Sequence, residues 1–238
     1  MGIQIAILAA GLGTRLGKSF PKPLTELSNG TTIMQQQLDN LRGVFGDQAD
    51  ITVVVGFKLG LVLEAAPSVR YAYNELFDQT NTSKSLLKVL RLTGPGGLLW
   101  MNGDIVFDAE LLRKARRTIE QDRSFVCVNT APVADEEVKY TLDDAGNVAA
   151  LSKEVVGGLG EAVGINYVSA ADKAALITRL DECDPQDFFE RGIELAILKD
   201  GQRWAAVDIS EYRCVEVDFD DDLDLVNSLL RDEESRGL

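Results

Sequence analysis

The stretch Leu8-Ala9-Ala10-Gly11-Leu12-Gly13-Thr14-Arg15-Leu16-Gly17-Lys18-Ser19-Phe20-Pro21-Lys22-Pro23-Leu24 gathers glycines, an arginine and a lysine held between two prolines. Glycine lets backbone N–H groups approach a bulky anion, and Arg15 and Lys22 add fixed positive charge. Such a combination binds polyphosphate. Two familiar phosphate loops fail on spacing. A Walker loop reads G-x-x-x-x-G-K-S; Gly17-Lys18-Ser19 supplies its end, but Leu12 stands where the first glycine belongs. A dinucleotide loop reads G-x-G-x-x-G, and here the third glycine falls one place late, at Gly17. No acidic residue closes the second apolar run to hold a ribose.

Composition narrows the chemistry further. The 238 residues carry 24 Lys and Arg against 38 Asp and Glu, a net charge of −14. A general nucleic-acid binder would present a basic face, so the expected partners are small molecules and not nucleic acid. The absence of histidine excludes imidazole bases, His-based triads and His-ligated zinc. Cys127, Cys183 and Cys214 are odd in number and lack metal-ligand spacing, which fits free thiols in a reducing cytosol. The N-terminus has no basic leader, and no apolar run approaches the roughly 20 residues of a membrane span. A cytoplasmic protein without membrane insertion is expected.

The elements that must position these residues follow from periodicity. Gly2 to Ala10 is nearly continuous in Ile, Leu and Ala, as a fully buried strand is. Further strands are expected at 51–55, 69–73, 98–101 and 125–129, separated by helices at 31–45, 59–66, 83–92 and, capped by Asp108, through Asp122. This alternation implies an α/β fold with a doubly wound, mostly parallel Rossmann-like sheet, whose ligands lie beyond the carboxyl ends of its strands. After Pro132 the texture changes. Strands at 138–142 and 148–153 flank the turn Asp143-Asp144-Ala145-Gly146-Asn147, and 160–168 is another strand. Helices are expected at 170–180 and opening at Asp184-Pro185, then short strands at 204–207 and 214–217 and a last helix from about Phe219. One domain over 1–238 is expected, with a first half, 1–131, and a second half, 132–238, that reads as a small antiparallel insertion covering what the first half binds.

The glycine stretch, taken with Pro21-Lys22-Pro23-Leu24, resembles the signature of the sugar-phosphate nucleotidyltransferase superfamily. That resemblance implies a single nucleotidyltransferase domain in which Leu8, Ala9, Ala10, Gly11, Gly13 and Thr14 lie against the nucleotide. It implies that Arg15 and Lys22 neutralise the phosphates and the leaving pyrophosphate. Asn102-Gly103-Asp104 matches the place of a Mg²⁺-binding aspartate, with Gly103 beside the nucleotide. Val215-Glu216-Val217-Asp218, followed by Asp222-Leu223, resembles the segment carrying the second ligand, Asp218. Thr80-Asn81-Thr82-Ser83-Lys84-Ser85-Leu86 resembles the phosphocholine, phosphonate and inositol-phosphate cytidylyltransferase group. That implies Asn81, Thr82 and Ser85 near the nucleobase and acceptor. Leu151-Ser152-Lys153 and Gly160-Glu161-Ala162-Val163-Gly164-Ile165 resemble acceptor-side segments of the same group, through Lys153 and Glu161. Asp187-Phe188-Phe189-Glu190 aligns loosely with a segment that holds a cationic head group, through Asp187.

The implied activity is Mg²⁺-dependent transfer of CMP from CTP to a small phosphomonoester or phosphonate, with release of pyrophosphate. The acceptor would be phosphocholine-, aminoethylphosphonate- or polyol-phosphate-like. An NDP-sugar pyrophosphorylase using UTP or dTTP with a hexose 1-phosphate stands as the alternative enzyme. A non-catalytic nucleotide-binding regulator stands as the alternative of another class. The same residues also have structural readings: Asn81 or Thr82 as a helix cap, Asp218 to Asp222 as charges at a helix start, and Phe188 and Phe189 as helix core.

Overall fold

The computed structural model describes residues 2–13, 20–131, 133 and 137–236. The strands are β1 (Ile3–Ala9), β2 (Ala49–Val55), β3 (Arg70–Tyr73), β4 (Leu98–Asn102), β5 (Ile105–Phe107), β6 (Phe125–Val128), β7 (Lys139–Leu142), β8 (Val148–Ser152), β9 (Ala162–Val168), β10 (Ala205–Asp208) and β11 (Cys214–Glu216). The helices are α1 (Ile33–Phe45), α2 (Leu59–Ala65), α3 (Thr82–Leu92), α4 (Ala109–Glu120), α5 (Lys173–Glu182), α6 (Phe189–Asp200) and α7 (Asp220–Arg236).

Seven strands form the central sheet in the order β10-β6-β9-β4-β1-β2-β3. Its parallel pairs are β3 with β2, β2 with β1, β1 with β4, and β6 with β10. Alternation along each strand divides the core. Ile5, Ile7 and Ala9 of β1 pack with Met34, Leu38 and Leu41 of α1 and with Leu111 and Leu112 of α4. Ala6 and Leu8 face the other way, toward Leu86 and Leu90 of α3, Leu180 of α5 and Ile193 of α6. Each such fully buried aliphatic side chain contributes about 1.5–3 kcal/mol. Both faces are therefore covered, and β1 is apolar but for Gln4, whose amide donates to the Gly97 carbonyl at 3.2 Å.

Two strands depart from the sequence expectation, β9 and β10, the latter pairing parallel to β6 at the edge of the central sheet. The run ending at Val168 was expected in an insertion over the first half; instead β9 lies inside the central sheet, antiparallel to both β4 and β6. All seven residues of β9 are buried, and Val163, Ile165 and Tyr167 join the core of the first half. The two halves share one sheet. Only β7 and β8 form the expected separate hairpin, whose turn is held by Ala145 and Asn147 N–H groups donating to the Asp143 carboxylate. Leu151 of β8 packs with Phe189 and Ile193 of α6.

Two helix starts also differ. Asp184-Pro185 opens no helix; Asp184 N–H donates to the Asp187 carboxylate in a tight turn, and α6 begins only at Phe189. Asp108 stands at the start of α4, but its carboxylate makes no cap and accepts from the Arg213 N–H and guanidinium. Beyond β5 and β11, a third cluster of Leu27, Ile33, Val106, Val217, Val226 and Leu230 seats α7 against the sheet's carboxyl end.

Candidate active site

The carboxyl ends of β1 and β4 lie side by side, and the turn after β4 is anchored to both neighbours. Gly103 N–H donates to the Leu8 carbonyl at 2.9 Å. A Cβ on Gly103 would lie 2.9 Å from that same oxygen and 3.1 Å from Pro23 Cγ, so glycine is what permits this closeness. From below, buried Gln37 of α1 donates to the carbonyls of Asn102 and Ile105, at 2.9 and 2.8 Å. Asp104 is thereby presented at the cleft floor.

Antiparallel pairing then brings the distant C-terminal segment to it. Glu216 of β11 pairs with Ile105 of β5, and Val217 N–H donates to the Asp104 carbonyl. Asp222, in the first turn of α7, accepts from Asp218 and Phe219 N–H groups at 2.9 and 2.8 Å. These two bonds satisfy N–H donors at the helix start and fix the backbone of Asp218. Asp222 was expected to act only as a helix-start charge; it also orients a site residue.

The Lys22 ammonium lies between the two aspartates, 3.1 Å from Asp104 Oδ2 and bonded to Asp218 Oδ1. Burial works against the charge on Lys22, but Asp104 and then Asp218 outweigh it and hold its pKa above the ordinary value. Burial raises Asp104 against the pull of Lys22. Glu216 stands well above the usual carboxylate range, first through lost hydration and then through Asp104 and Asp218. Oxygen atoms of Asp104, Glu216 and Asp218 all lie within 4.8 Å of one another. Three hard oxygen donors this close together, two of them already holding a cationic nitrogen, fit a divalent metal such as Mg²⁺. Glu216 was not among the sequence candidates, because its role depends on the β5–β11 pairing.

A cleft of about 400 Å³ runs from this cluster across the sheet's carboxyl edge. It brings together Leu8, Ala9, Gly11, Gly13, Lys22, Asn81, Thr82, Gly103, Asp104 and Asp218 with Lys153 and Glu161. Asn81 caps α3, its Oδ1 accepting from Thr82 N–H, while Thr82 Oγ1 accepts from Phe189 N–H and ties α3 to α6. Capping and cleft lining coexist in these two residues. Thr14 and Arg15, with the Gly17-Lys18-Ser19 Walker-like end, lie outside the described residues.

Three sequence candidates are not brought into the cleft. Ala10 is buried and its carbonyl accepts from Phe57 N–H. Ser85 is buried with its hydroxyl accepting from Asn74 Nδ2 at 3.1 Å. Asp187 serves the Asp184 turn. In the place foreseen for Asp187 the cleft has Phe188 and Glu190, the latter one helical turn on, together with Glu137 from the segment before β7. Glu190 was not singled out from the sequence; its burial near the start of α6 becomes visible only once that helix start is known.

With this geometry in place, comparison with known proteins defines the class. Residues 5–180 match the MobA-like NTP transferase domain, and the chain belongs to that family. A curated relative, CMP-5'-(3-aminopropyl)phosphonate synthase of Streptomyces rubellomurinus, is 25% identical over 235 residues, covering 91% of this chain. The match spans only 37% of that relative's length. Among solved structures, the CTP:phosphocholine cytidylyltransferase LicC of Streptococcus pneumoniae superposes with a TM-score of 0.76 at 18% identity, covering 97% of this chain and 100% of that one. A Bacillus anthracis structure described as a glucose-1-phosphate thymidylyltransferase gives 0.78 at 18% identity, covering 97% and 96%. These likenesses establish the nucleotidyltransferase fold. No helix among the described residues is long and apolar enough to cross a membrane.

Proposed function

We propose that this nucleotidyltransferase moves CMP from CTP to a small phosphomonoester or phosphonate and releases pyrophosphate, with Mg²⁺ as cofactor. One observation carries the reading: a single cleft joins Lys22, Asp104 and Asp218 at one end to Lys153 and Glu161 at the other. The acceptor's phosphate or phosphonate oxygen forms a bond to the α-phosphorus. The bond from that phosphorus to the bridging oxygen breaks, and pyrophosphate carries away the electron pair. The nucleophile is already ionised near neutral pH, so no general base is required, which suits a chain without histidine. Positioning and charge neutralisation supply the rate.

The roles follow the cleft. The backbone around Leu8, Ala9, Gly11 and Gly13 receives the nucleotide, and Lys22 and, by resemblance, Thr14 and Arg15 face its phosphates. Asn81, Thr82 and Gly103 border the nucleoside. Ala10, Ser85 and Asp187 are left out, since their polar atoms are engaged elsewhere. Lys153 takes the acceptor's phosphate. Asp104 and Asp218 would hold Mg²⁺, with Glu216 beside them, and the ion would supply positive charge to the phosphate oxygens. Cytidine is favoured by the resemblance at 80–86 and by the relative named as a CMP-phosphonate synthase. We read 1–238 as one domain, with 1–131 on the nucleotide side and 132–238 supplying the acceptor side and second metal ligand.

The test is pyrophosphate release from CTP, UTP, dTTP, ATP and GTP with Mg²⁺ and a panel of aminophosphonates, phosphocholine, polyol phosphates and glucose 1-phosphate. Release with CTP and a small acceptor is expected. Silence across all combinations, or turnover confined to a hexose 1-phosphate with UTP or dTTP, would overturn the proposal.

A further inference from the structure

Helix α1 carries two amides on one side. Gln37 and Asn40, one turn apart, stand among the buried Met34, Leu38 and Leu41. Gln37 is 0% exposed, and a buried amide is costly unless it is bonded. What both amides meet is backbone. Along one edge β5 pairs with β11 in a two-stranded sheet. Gln37 Nε2 donates to the carbonyls of Asn102 and Ile105, at 2.9 and 2.8 Å, and Asn40 Nδ2 to that of Phe107, at 2.7 Å. Side-chain amides thus satisfy carbonyls that a further strand would otherwise have to meet.

The two amides hold different places. The carbonyls taken by Gln37 flank Gly103-Asp104, so one nitrogen joins both ends of the turn that carries Asp104. That turn's remaining anchors are Gly103 N–H on the Leu8 carbonyl and Val217 N–H on the Asp104 carbonyl. Gln37 is therefore the anchor from α1, and it grips β5 at Ile105, the residue paired with Glu216 of β11 just before Asp218. Asn40 holds β5 only at Phe107, its far end. Gln37 Oε1 is buried with no hydrogen-bond partner among the described residues. A Met or Leu would fill the same space without that unpaired acceptor, so the side chain is explained by its donors. Gln37 is not among the residues that line the cleft.

We infer that Gln37 is a positioning residue of the metal site: its two bonds fix Asp104 and, through β5 and β11, Asp218, so that divalent-cation affinity depends on a helix amide outside the cleft. This rests on the metal assignment proposed above and deepens it. Asn40, at the far end of β5, serves stability alone.

The experiment uses the full chain with a non-hydrolysable CTP analogue and reads Mn²⁺ binding by electron paramagnetic resonance, since Mn²⁺ takes the same oxygen donors as Mg²⁺. Gln37→Met keeps the length and removes both donors. Gln37→Asn keeps the amide but is one carbon too short to span both carbonyls, so the test survives if one variant fails to fold. Each should weaken Mn²⁺ binding about 10-fold or more, the scale for losing a group that orients a metal ligand, while analogue binding without metal stays within about 2-fold. Asn40→Leu should lower the melting temperature comparably yet leave Mn²⁺ affinity within about 2-fold, because its bond lies away from Asp104. Equal weakening in Asn40→Leu, unchanged Mn²⁺ affinity in both Gln37 variants, or failure of both to fold would reduce Gln37 to a structural role and overturn the inference. An Asp104→Ala arm keeps the two readings apart. Mn²⁺ binding lost in Asp104→Ala but kept in the Gln37 variants overturns the inference and leaves the metal reading. Mn²⁺ binding that survives Asp104→Ala, or none in the unaltered chain, removes the metal reading and the inference with it.

Discussion

The two ends of the cleft are built in opposite ways. The phosphate end gathers Gly11, Gly13, Lys22 and Pro23 from a short stretch and adds Asp104 and Asp218 at strand ends, held by backbone bonds from Gly103 and Val217. The acceptor end takes Lys153 from just after β8, Glu161 from just before β9 and Glu190 from α6, elements that meet only through tertiary packing. The first end sets the Lys22 ammonium between the Asp104 and Asp218 carboxylates. The second concentrates acids under burial.

The largest effects should come from breaking the phosphate end. Asp104→Ala and Asp218→Ala should each lower kcat by at least about 10²-fold, the scale for losing one transition-state charge contact, with little change in melting temperature. Chelation of Mg²⁺ should abolish turnover and its re-addition restore it. Near-wild-type steady-state rates in either variant would remove that residue from the metal site. At the acceptor end Lys153→Ala should lower the acceptor's kcat/KM about 10-fold or more while nucleotide Kd stays within about 2-fold. A parallel loss of nucleotide affinity would mean that the two ends are not separate.

A third prediction concerns pH and the acceptor end alone. Burial pushes Glu190 up to about 7, with Lys153 only partly offsetting it. Burial and then Glu137 push Glu161 up to about 8. The folded chain therefore holds protons that the unfolded chain releases near 4.5. The stability these groups contribute is fully present below that pH and is lost as pH rises to about 7 for Glu190 and about 8 for Glu161. Thermal melts across that window should show a shallower decline in Glu190→Gln; an unchanged slope would place Glu190 in water. The smallest effect is expected from Asp187→Ala, a loss of about 0.5–1.5 kcal/mol of stability from the broken Asp184 bond and an acceptor KM within about 2-fold. A large KM change would return Asp187 to the site.

The contrast also explains what could be read from the sequence. β1, β2 and β4 were legible because each is a largely apolar run closed by a glycine or an asparagine, and alternation with helices implies parallel pairing. The place of β9 was not legible. A buried run of seven residues looks the same whether it enters the central sheet or caps it, and antiparallel entry depends on strand order. Asp104 and Asp218 could be picked out because they stand beside local motifs. Glu216 could not, since its partnership arises from the β5–β11 ladder, and β5 is only three residues long. Asp187 was preferred to Glu190 on a loose resemblance over 187–190, which could not show that Asp187 closes the Asp184 turn while Glu190 lines the cleft.

The most direct test of the central claim is a crystal structure of the full chain with a non-hydrolysable CTP analogue, Mg²⁺ and an acceptor phosphonate. The account predicts a metal ion on Asp104 and Asp218, Lys22 turned onto the triphosphate, and the acceptor's phosphorus held by Lys153 in line with the α-phosphorus. A triphosphate seated at Gly17-Lys18-Ser19, or an acceptor lying away from Lys153 and Glu161, would contradict it.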